Sequence, residues 1–439
     1  MPTPTESYIA SLGERTFLKL WSYPNPFRVK GKEFADLVVV FGSEILVFSD
    51  KASRFQPVEI GLAWQRWYQR TVLESLKQLE GAVRHLTDPA ATIFVDERAN
   101  EALPFALPPV QDRRLHLIGV VHPDLEPLQI PPEFAGCFFD ASVAGDERPF
   151  GVGVVRAKGH FVHILEGSVL EILLEELDTV SDFVAYLRQC EQAIASREVL
   201  VFRELDLLAC ALETRGAYAW APLELPSPSE DRTTIVEPGL WEEYDQSAST
   251  VARRESNRAS YLIDRLIEHF HREYVAKRYL QASRPTYATH EYALRLLASE
   301  SRFGRRIIAA AFYEIWNEKD QHTFWATTVE SSEMEGVRYV WLTYPPFPGN
   351  LPVSQVEAAI LVHLQEHVFV ARAFFPARLV IGIALPNPAA AKEAVLESVD
   401  ITVLDGTKWD DEAQAGAEVL ARERNIFQNL QAVHRFHIP

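Results

Sequence analysis

Two short runs of almost uninterrupted apolar residues, separated by a tight polar turn, constrain the fold of this chain most. Residues 36–41 read Asp-Leu-Val-Val-Val-Phe, and residues 45–48 read Ile-Leu-Val-Phe, with Gly-Ser-Glu between them. β-Branched residues favour strands, and a short Gly/Ser turn favours a hairpin. Strands that are apolar on both faces are typical of a sheet that helices cover on both sides. The runs therefore predict an α/β fold with this hairpin inside the sheet.

The segments on either side of the hairpin predict the covering helices. Residues 7–21 carry apolar side chains at helical spacing, and residues 59–86 form a longer amphipathic pattern. Residues 92–95 and 115–121 are short apolar runs, which predict further strands. The order helix, hairpin, helix, strand can close as one α/β sandwich.

Charged side chains stand at the ends of the two hairpin strands. Glu33 and Asp36 lie at the start of the first strand, and Asp50 and Lys51 lie at the end of the second. Only a short turn separates the strands, so the two groups are expected to meet in space. Metal-dependent phosphodiester hydrolysis uses carboxylates that hold Mg²⁺ (or Mn²⁺) and gains from a lysine that stabilises developing charge. The pattern predicts a site of that kind.

This arrangement resembles the core of the PD-(D/E)xK, or restriction-endonuclease-like, nucleases. That core has a helix with an acid, a strand that begins with Asp, a strand that ends in (Asp/Glu)-x-Lys, and a helix behind. The resemblance covers about residues 7–122. It implies a restriction-endonuclease-like α/β/α core in which Asp36 is the principal metal ligand and Lys51 the charge-stabilising residue. It matches Glu14 to the helix acid and Gln78 to a glutamine that some relatives carry on the following helix.

Ser49 departs from the pattern of these nucleases. Strand alternation puts Ser49 on the same side as Lys51, whereas Asp50 points the opposite way unless a β-bulge re-aims it. Either Asp50 or Glu33 then supplies the missing metal ligand, or the site binds metal weakly. The alternative is a binding or scaffold protein that kept the nuclease fold without the metal.

Four segments resemble a group of uncharacterised prokaryotic proteins with the same nuclease-like N-terminus. They are residues 20–24 (LWSYP), 31–42 (GKEFADLVVVFG), 45–51 (ILVFSDK) and 176–183 (ELDTVSDF). This second resemblance extends over most of the chain. The two resemblances together imply a nuclease, with defence against foreign DNA as a role that rests on analogy with the fold.

A chain of 439 residues is too long for one ordinary core. We expect a nuclease-like core at residues 1–125 and an extension of that unit, with strands and helices, at 126–224. A linker at 225–238 combines prolines, serines and charge. The remainder, 239–439, is expected to be an α+β domain of unknown role, through which the chain could form a homodimer or bind a partner protein.

Periodicity predicts further elements in both parts. In the extension we expect strands at 150–155 and 161–165, and a two-part helix at 168–195 with Ser181 and Asp182 as an internal cap. In the C-terminal part, helices are expected at 240–280, 290–315 and 353–371, and strands at 324–329, 339–344 and 379–384.

The formal net charge of −18 opposes phosphate binding, which depends on Lys and Arg. Two segments are locally basic: residues 51–86 hold six Lys/Arg against three Asp/Glu, and residues 251–306 hold twelve against six. Arg54, Arg66 and Arg70 in the first segment are the predicted nucleic-acid contacts, and DNA is favoured over RNA. The alternative is that these segments are ordinary solvated helix faces.

Two further motifs lie in the C-terminal part. His363-Leu-Gln-Glu-His367 matches the H-x-x-E-H pattern, in which two histidines one helical turn apart hold Zn²⁺ for a peptidase. No third ligand is obvious, so this activity is a remote alternative. Arg302, Arg305 and Arg306 could bind phosphate or pair with acids from the other domain, and the acidic composition favours ion pairs.

Cysteine usage and hydropathy bear on the compartment. Cys137, Cys190 and Cys210 are odd in number and widely spaced, unlike disulfide frameworks or zinc sites. No apolar run approaches the length of a membrane span, and the N-terminus lacks the pattern of a secretory signal. We expect a cytoplasmic protein that does not contact membranes.

Overall fold

The structure is a computed structural model that describes most of the chain. The described residues are 4–124, 128, 136–195, 198–214, 233–277, 286–318, 320–393 and 400–427. They form two compact units, Met1–Val251 and Ala252–Pro439. Each unit combines helices with mixed sheets, which confirms the predicted α/β class. None of the described helices is long and apolar enough to cross a membrane.

The first unit alternates helices and strands. In chain order its elements are α1 (Pro4–Phe17), β1 (Ser22–Pro24), β2 (Phe27–Val29), β3 (Lys32–Glu33), β4 (Leu37–Phe41), β5 (Glu44–Arg54), α2 (Ile60–Tyr68), α3 (Glu74–Leu86), β6 (Arg114–Asp124), β7 (Phe138–Asp140), β8 (Gly151–Val152), β9 (Val155–Ala157), β10 (His160–Glu166), α4 (Gly167–Glu176), α5 (Val180–Ala195), β11 (Glu198–Val201), α6 (Glu204–Thr214), β12 (Thr233–Val236) and α7 (Leu240–Gln246). Helix α8 (Ala248–Asn257) spans the boundary between the units.

The predicted hairpin lies inside a six-stranded sheet with the order β1-β4-β5-β6-β10-β9. Strands β4 and β5 pair antiparallel around Gly42, whose φ of +59° suits a residue without a side chain. Strands β5, β6 and β10 run parallel to one another. The carboxyl ends of these three strands therefore meet at one edge of the sheet, which is where α/β folds commonly place their sites.

Helices cover both faces of this sheet. On one face, α2 and α3 bury Trp64, Trp67 and Leu79 against the sheet, and one π-helical turn, Gln69–Leu73, joins the two helices. On the other face, α1 and α5 contribute Phe17 and Phe183, whose rings contact Phe48 of β5. This double cover explains why the hairpin strands are almost purely apolar.

Several boundaries in the first unit differ from the predictions. The first helix ends at Phe17 rather than at residue 21, because Leu18 adopts a left-handed φ of +64°. The predicted strand at 92–95 is reduced to isolated bridges of Phe94 with Phe27 and Ala102. Strand β5 continues three residues beyond Lys51, since β6 pairs with it up to Arg54. Lys51 therefore lies within the strand and not at its end.

The extension of the core contains a second sheet, with the order β12-β11-β7-β8. The predicted strand at 150–155 is divided: β8 belongs to this sheet, whereas β9 pairs with β10 in the first sheet. The predicted two-part helix at 168–195 is confirmed as α4 and α5, but its cap is Thr179, whose hydroxyl accepts from the N–H of Asp182.

The predicted linker at 225–238 lies partly outside the described residues. Its described end contains β12, which pairs in parallel with β11 of the first unit. The first unit thus continues to Val251, beyond the predicted start of the C-terminal domain at residue 239. Composition favoured a linker here, and pairing with β11 made part of it a strand.

The second unit is built on a four-stranded sheet with helices on both faces. Its elements are α9 (Tyr261–Val275), α10 (Tyr287–Ala298), α11 (Arg302–Trp316), β13 (Trp325–Glu330), β14 (Val337–Tyr344), α12 (Val353–Phe374), β15 (Leu379–Pro386), α13 (Pro388–Glu393), β16 (Asp400–Asp405) and α14 (Asp411–Arg424). Residues of β14 alternate between the faces: Val340 packs in a cluster with Leu364 of α12, and Trp341 packs on Phe312 of α11. The strands and the helix predicted between residues 324 and 384 are confirmed within a few residues.

Candidate functional site

Asp36 lies where the ladder between β4 and β5 ends. Leu37 and Phe48 are the last residues that the two strands pair, so the backbone N–H of Asp50 has no partner in β4. The Oδ2 atom of Asp36 accepts a hydrogen bond from that N–H. A buried N–H without an acceptor is costly, so Asp36 stabilises the local structure whatever else it does. Its side chain is only 5% exposed.

Lys51, Ser49 and Gln78 complete a polar network around Asp36. The ammonium of Lys51 lies 3.0 Å from Asp36 Oδ2, and the amide of Gln78 on α3 donates to Asp36 Oδ1 at 3.4 Å. The hydroxyl of Ser49 donates to Gln78 Oε1 at 2.8 Å. The structure therefore brings together four residues that the sequence singled out, with Lys51 28% exposed.

Asp50 points to the opposite face of the sheet, as strand alternation predicted. The register between β5 and β6 runs without a shift from Glu44 to Arg54, so no bulge re-aims the side chain. The carboxylate of Asp50 is 1% exposed and lies 2.6 Å from Nε2 of His122 at the end of β6. It therefore does not share the face of Lys51.

The other predicted acids do not join Asp36. Glu33 is an exposed residue of β3, paired with Phe27 of β2 in a separate two-stranded sheet. Glu14 lies on α1, where its carboxylate is 3.4 Å from the ammonium of Lys19. Helix α1 packs on the face opposite to the one that carries Lys51, so Glu14, which the resemblance matched to the helix acid, does not join Asp36.

These donors do not fit a magnesium ion. Mg²⁺ requires near-octahedral oxygen ligands, and protein sites for it normally use more than one carboxylate or a bound phosphate. The network around Asp36 supplies one carboxylate, which already accepts from Lys51 and from the backbone of Asp50. Among the residues that the structure describes, no group of three or more His, Cys, Asp or Glu side chains is placed to hold a metal ion.

The predicted nucleic-acid contacts have different surroundings. Arg54 forms an ion pair of 3.0 Å with Asp124, so part of its charge is compensated. Arg66 donates to Gln56, and Arg70 lies on the π-helical turn; both side chains are exposed. Arg66 and Arg70 belong to the helical layer that covers the face of Lys51.

His122 is the residue of this site that sequence reasoning missed. Its Nε2 atom forms a hydrogen bond with Asp50 Oδ1, and its ring packs against Gly167, where a Cβ atom would lie 2.3 Å from the ring. The signal in the sequence was the order of strands: His122 and Glu166 lie near the carboxyl ends of β6 and β10, which follow β5 in the sheet and run parallel to it. Identifying it required the parallel pairing of β5, β6 and β10, which composition alone does not reveal.

The histidines of the H-x-x-E-H pattern lie on α12, as predicted. The ring of His363 packs on Phe324 at 4.1 Å, and Nδ1 of His367 contacts the backbone carbonyl of His363 at 2.6 Å. Glu366 lies 3.4 Å from Arg424. Within the described part of the chain, no third ligand stands beside these histidines.

The chain was compared with protein-family models, with curated proteins and with solved structures, and none of the three comparisons found a match.

Proposed function

We propose that the first unit is a binding module of restriction-endonuclease-like fold that contacts nucleic acid without hydrolysing it. The order helix, three antiparallel strands, helix and parallel strand, formed by α1, β1, β4, β5, α3 and β6, supports the relation to that fold. The resemblance of Asp36, Lys51 and Gln78 to the positions of the nuclease motif supports it as well.

One observation carries the proposal that cleavage is lost. Asp50 is held by His122 on the far face of β5, and Ser49 occupies the position where an active nuclease would present its second carboxylate. A single carboxylate that is neutralised by Lys51 cannot assemble the oxygen ligands that Mg²⁺ requires. Nucleic acid is the proposed partner because Lys51, Arg66 and Arg70 lie on the same side of the sheet.

The binding proposal predicts salt-sensitive affinity for nucleic acid without cleavage. Duplex DNA, single-stranded DNA and RNA would be incubated with the full chain in Mg²⁺ or Mn²⁺, and both binding and strand breakage measured. We expect binding that weakens as salt rises and that falls by about tenfold in an Arg66→Ala/Arg70→Ala double variant, because two phosphate contacts are lost. Arg15→Ala, an exposed arginine on α1 at the opposite face, is the matched control.

Two outcomes would contradict parts of this proposal. Metal-dependent cleavage that both Asp36→Ala and Lys51→Ala abolish would show an active nuclease, in which further ligands join Asp36 in holding the metal. Failure to bind any of the three nucleic acids at low salt would exclude nucleic acid as the partner and leave a protein scaffold.

Supplying the missing acid is expected to create metal affinity. Ser49→Asp places a carboxylate on the face of Lys51, beside Gln78 and Asp36. We expect Mn²⁺ binding, measured by calorimetry, to be at least about tenfold tighter in this variant than in the natural protein, since a second oxygen donor joins the first. Ser43→Asp, in the turn at the opposite end of β5, controls for the added charge. Equal Mn²⁺ affinity in all three proteins would show that position 49 is not a ligand position.

A further inference from the structure

A cavity of about 180 Å³ lies in the first unit, beside strand β10. It is bordered by the six-stranded and the four-stranded sheet of the unit and by α5 and α6. This volume slightly exceeds that of an engineered cavity of about 150 Å³ that admits benzene. Three aromatic rings, those of Phe138, Phe139 and Phe161, form part of the wall. The polar residues of the wall are Cys137, His163, Glu166, Cys190, Arg203 and Glu204.

Two glutamates border the cavity, and among the described residues neither has an ion pair with Lys or Arg. Glu166 accepts from the backbone N–H of Cys137, and Glu204 accepts from the hydroxyl of Tyr186 at 2.5 Å. Burial raises the pKa of both carboxyl groups, and these hydrogen bonds offset only part of the effect. Both side chains nevertheless keep some accessible surface, because they border the cavity.

Two basic side chains in the described wall of the cavity, Arg203 and His163, have acidic partners of their own. Arg203 pairs with Asp206 at 2.9 Å and with Glu242 at 2.6 Å. The imidazole of His163 lies 3.1 Å from Glu191. The imidazoles of His122 and His163 also act on Glu166 and Glu204, but burial still outweighs them and raises the pKa of both carboxyl groups. A positive charge that enters the cavity would therefore find two carboxylates to pair with.

We propose that this cavity binds a small organic cation, a primary ammonium on a compact apolar body, through Glu166 and Glu204. A metal ion is a poorer fit, because no group of three metal-ligating side chains among the described residues is placed to hold one. An ammonium carries three hydrogen-bond donors that carboxylates accept, and the phenyl rings of the wall favour both its charge and an apolar body. This site is separate from the network at Asp36 and does not depend on the proposed function.

Benzylamine and benzyl alcohol form the matched pair of probes, since they share a size and differ in charge. Calorimetry with the full chain is expected to show benzylamine binding at least about tenfold more tightly than benzyl alcohol. The double variant Glu166→Gln/Glu204→Gln is expected to lose this preference. Glu213→Gln, which removes an exposed charge from the same helix as Glu204, should keep it.

A second measurement needs only the natural protein. The carboxyl groups must ionise to hold the ammonium, so binding of benzylamine is expected to release protons to the buffer and to strengthen as pH rises toward neutrality. The titratable groups that face Glu166 are Cys137 and His122, and those that face Glu204 are Tyr186, His163 and Cys190. Equal affinity for the two probes, or benzylamine binding that the double variant retains in a folded state, would overturn the proposal.

Discussion

Replacing Asp264 with alanine is expected to lower the free energy of unfolding of the second unit by about 3 to 5 kcal/mol. Asp264 on α9 holds two guanidinium groups of α11, at 2.6 Å from Arg302 and 2.5 Å from Arg305. These arginine side chains are 3% and 1% exposed, so water cannot replace the lost carboxylate. Removing one member of a buried ion pair is the costly case, because burial keeps the remaining charge from water.

Urea unfolding, followed by tryptophan fluorescence and by hydrogen exchange in α9 and α11, would measure this loss. Glu268→Ala is the matched control, since it removes an acid from the same helix one turn later, where the side chain is exposed. We expect Glu268→Ala to change stability by less than about 0.5 kcal/mol. Similar losses of stability in Asp264→Ala and Glu268→Ala would show that Asp264 contributes no more than an exposed acid on the same helix.

Replacing Glu300 with glutamine is expected to remove a pH dependence of stability that the natural protein shows between about pH 4.5 and 7. Burial raises the pKa of Glu300 from 4.5 to about 7, while hydrogen bonds from Ser331 and Tyr339 act in the opposite direction. The folded state therefore favours the neutral acid. The neutral acid stabilises the folded state in full below pH 4.5. This stabilisation, about 3 kcal/mol, is lost as pH rises through 7.

The glutamine variant keeps an acceptor for Ser331 and Tyr339 but cannot ionise. Thermal or urea unfolding between pH 4.5 and 8 is expected to give a flatter profile than the natural protein, and higher stability at pH 8. Glu335→Gln, an exposed acid in the turn before β14, is the control that should keep the natural slope. If Glu300→Gln loses stability across this range as steeply as the natural protein, the pH dependence comes from other groups.

The geometry of Asp264 also answers a question left open by the sequence. The basic cluster at residues 302–306 could bind phosphate or form ion pairs, and the structure pairs Arg302 and Arg305 with Asp264. The acid belongs to the same unit, not to the other domain as the sequence suggested. Nothing in local composition distinguishes Asp264 from the other acids of α9, since only the packing of α9 on α11 brings it to the arginines.

Periodicity predicted the helical and sheet layers of the first unit, whereas it predicted the candidate site around Asp36 only in part. The apolar runs at 36–41 and 45–48 predicted the hairpin, and alternation correctly separated Asp50 from Ser49 and Lys51. Neither Asp50 nor Glu33 lies beside Asp36, although one of them was expected to supply the missing ligand. Glu33 belongs to a different small sheet, and the continuous pairing of β5 with β6 leaves Asp50 no route to the face of Lys51.

The sequence by itself determined the α/β class, the buried hairpin and the faces of its strands, because these depend on spacings of two and 3.6 residues along the chain. The tertiary structure alone decided which distant residues became partners. His122 reaches Asp50 and Gln78 reaches Asp36 because parallel strands end at one edge and α3 covers one face. The cavity between Glu166 and Glu204 likewise arises where two sheets meet. Such contacts join residues tens of positions apart, and no local pattern specifies them.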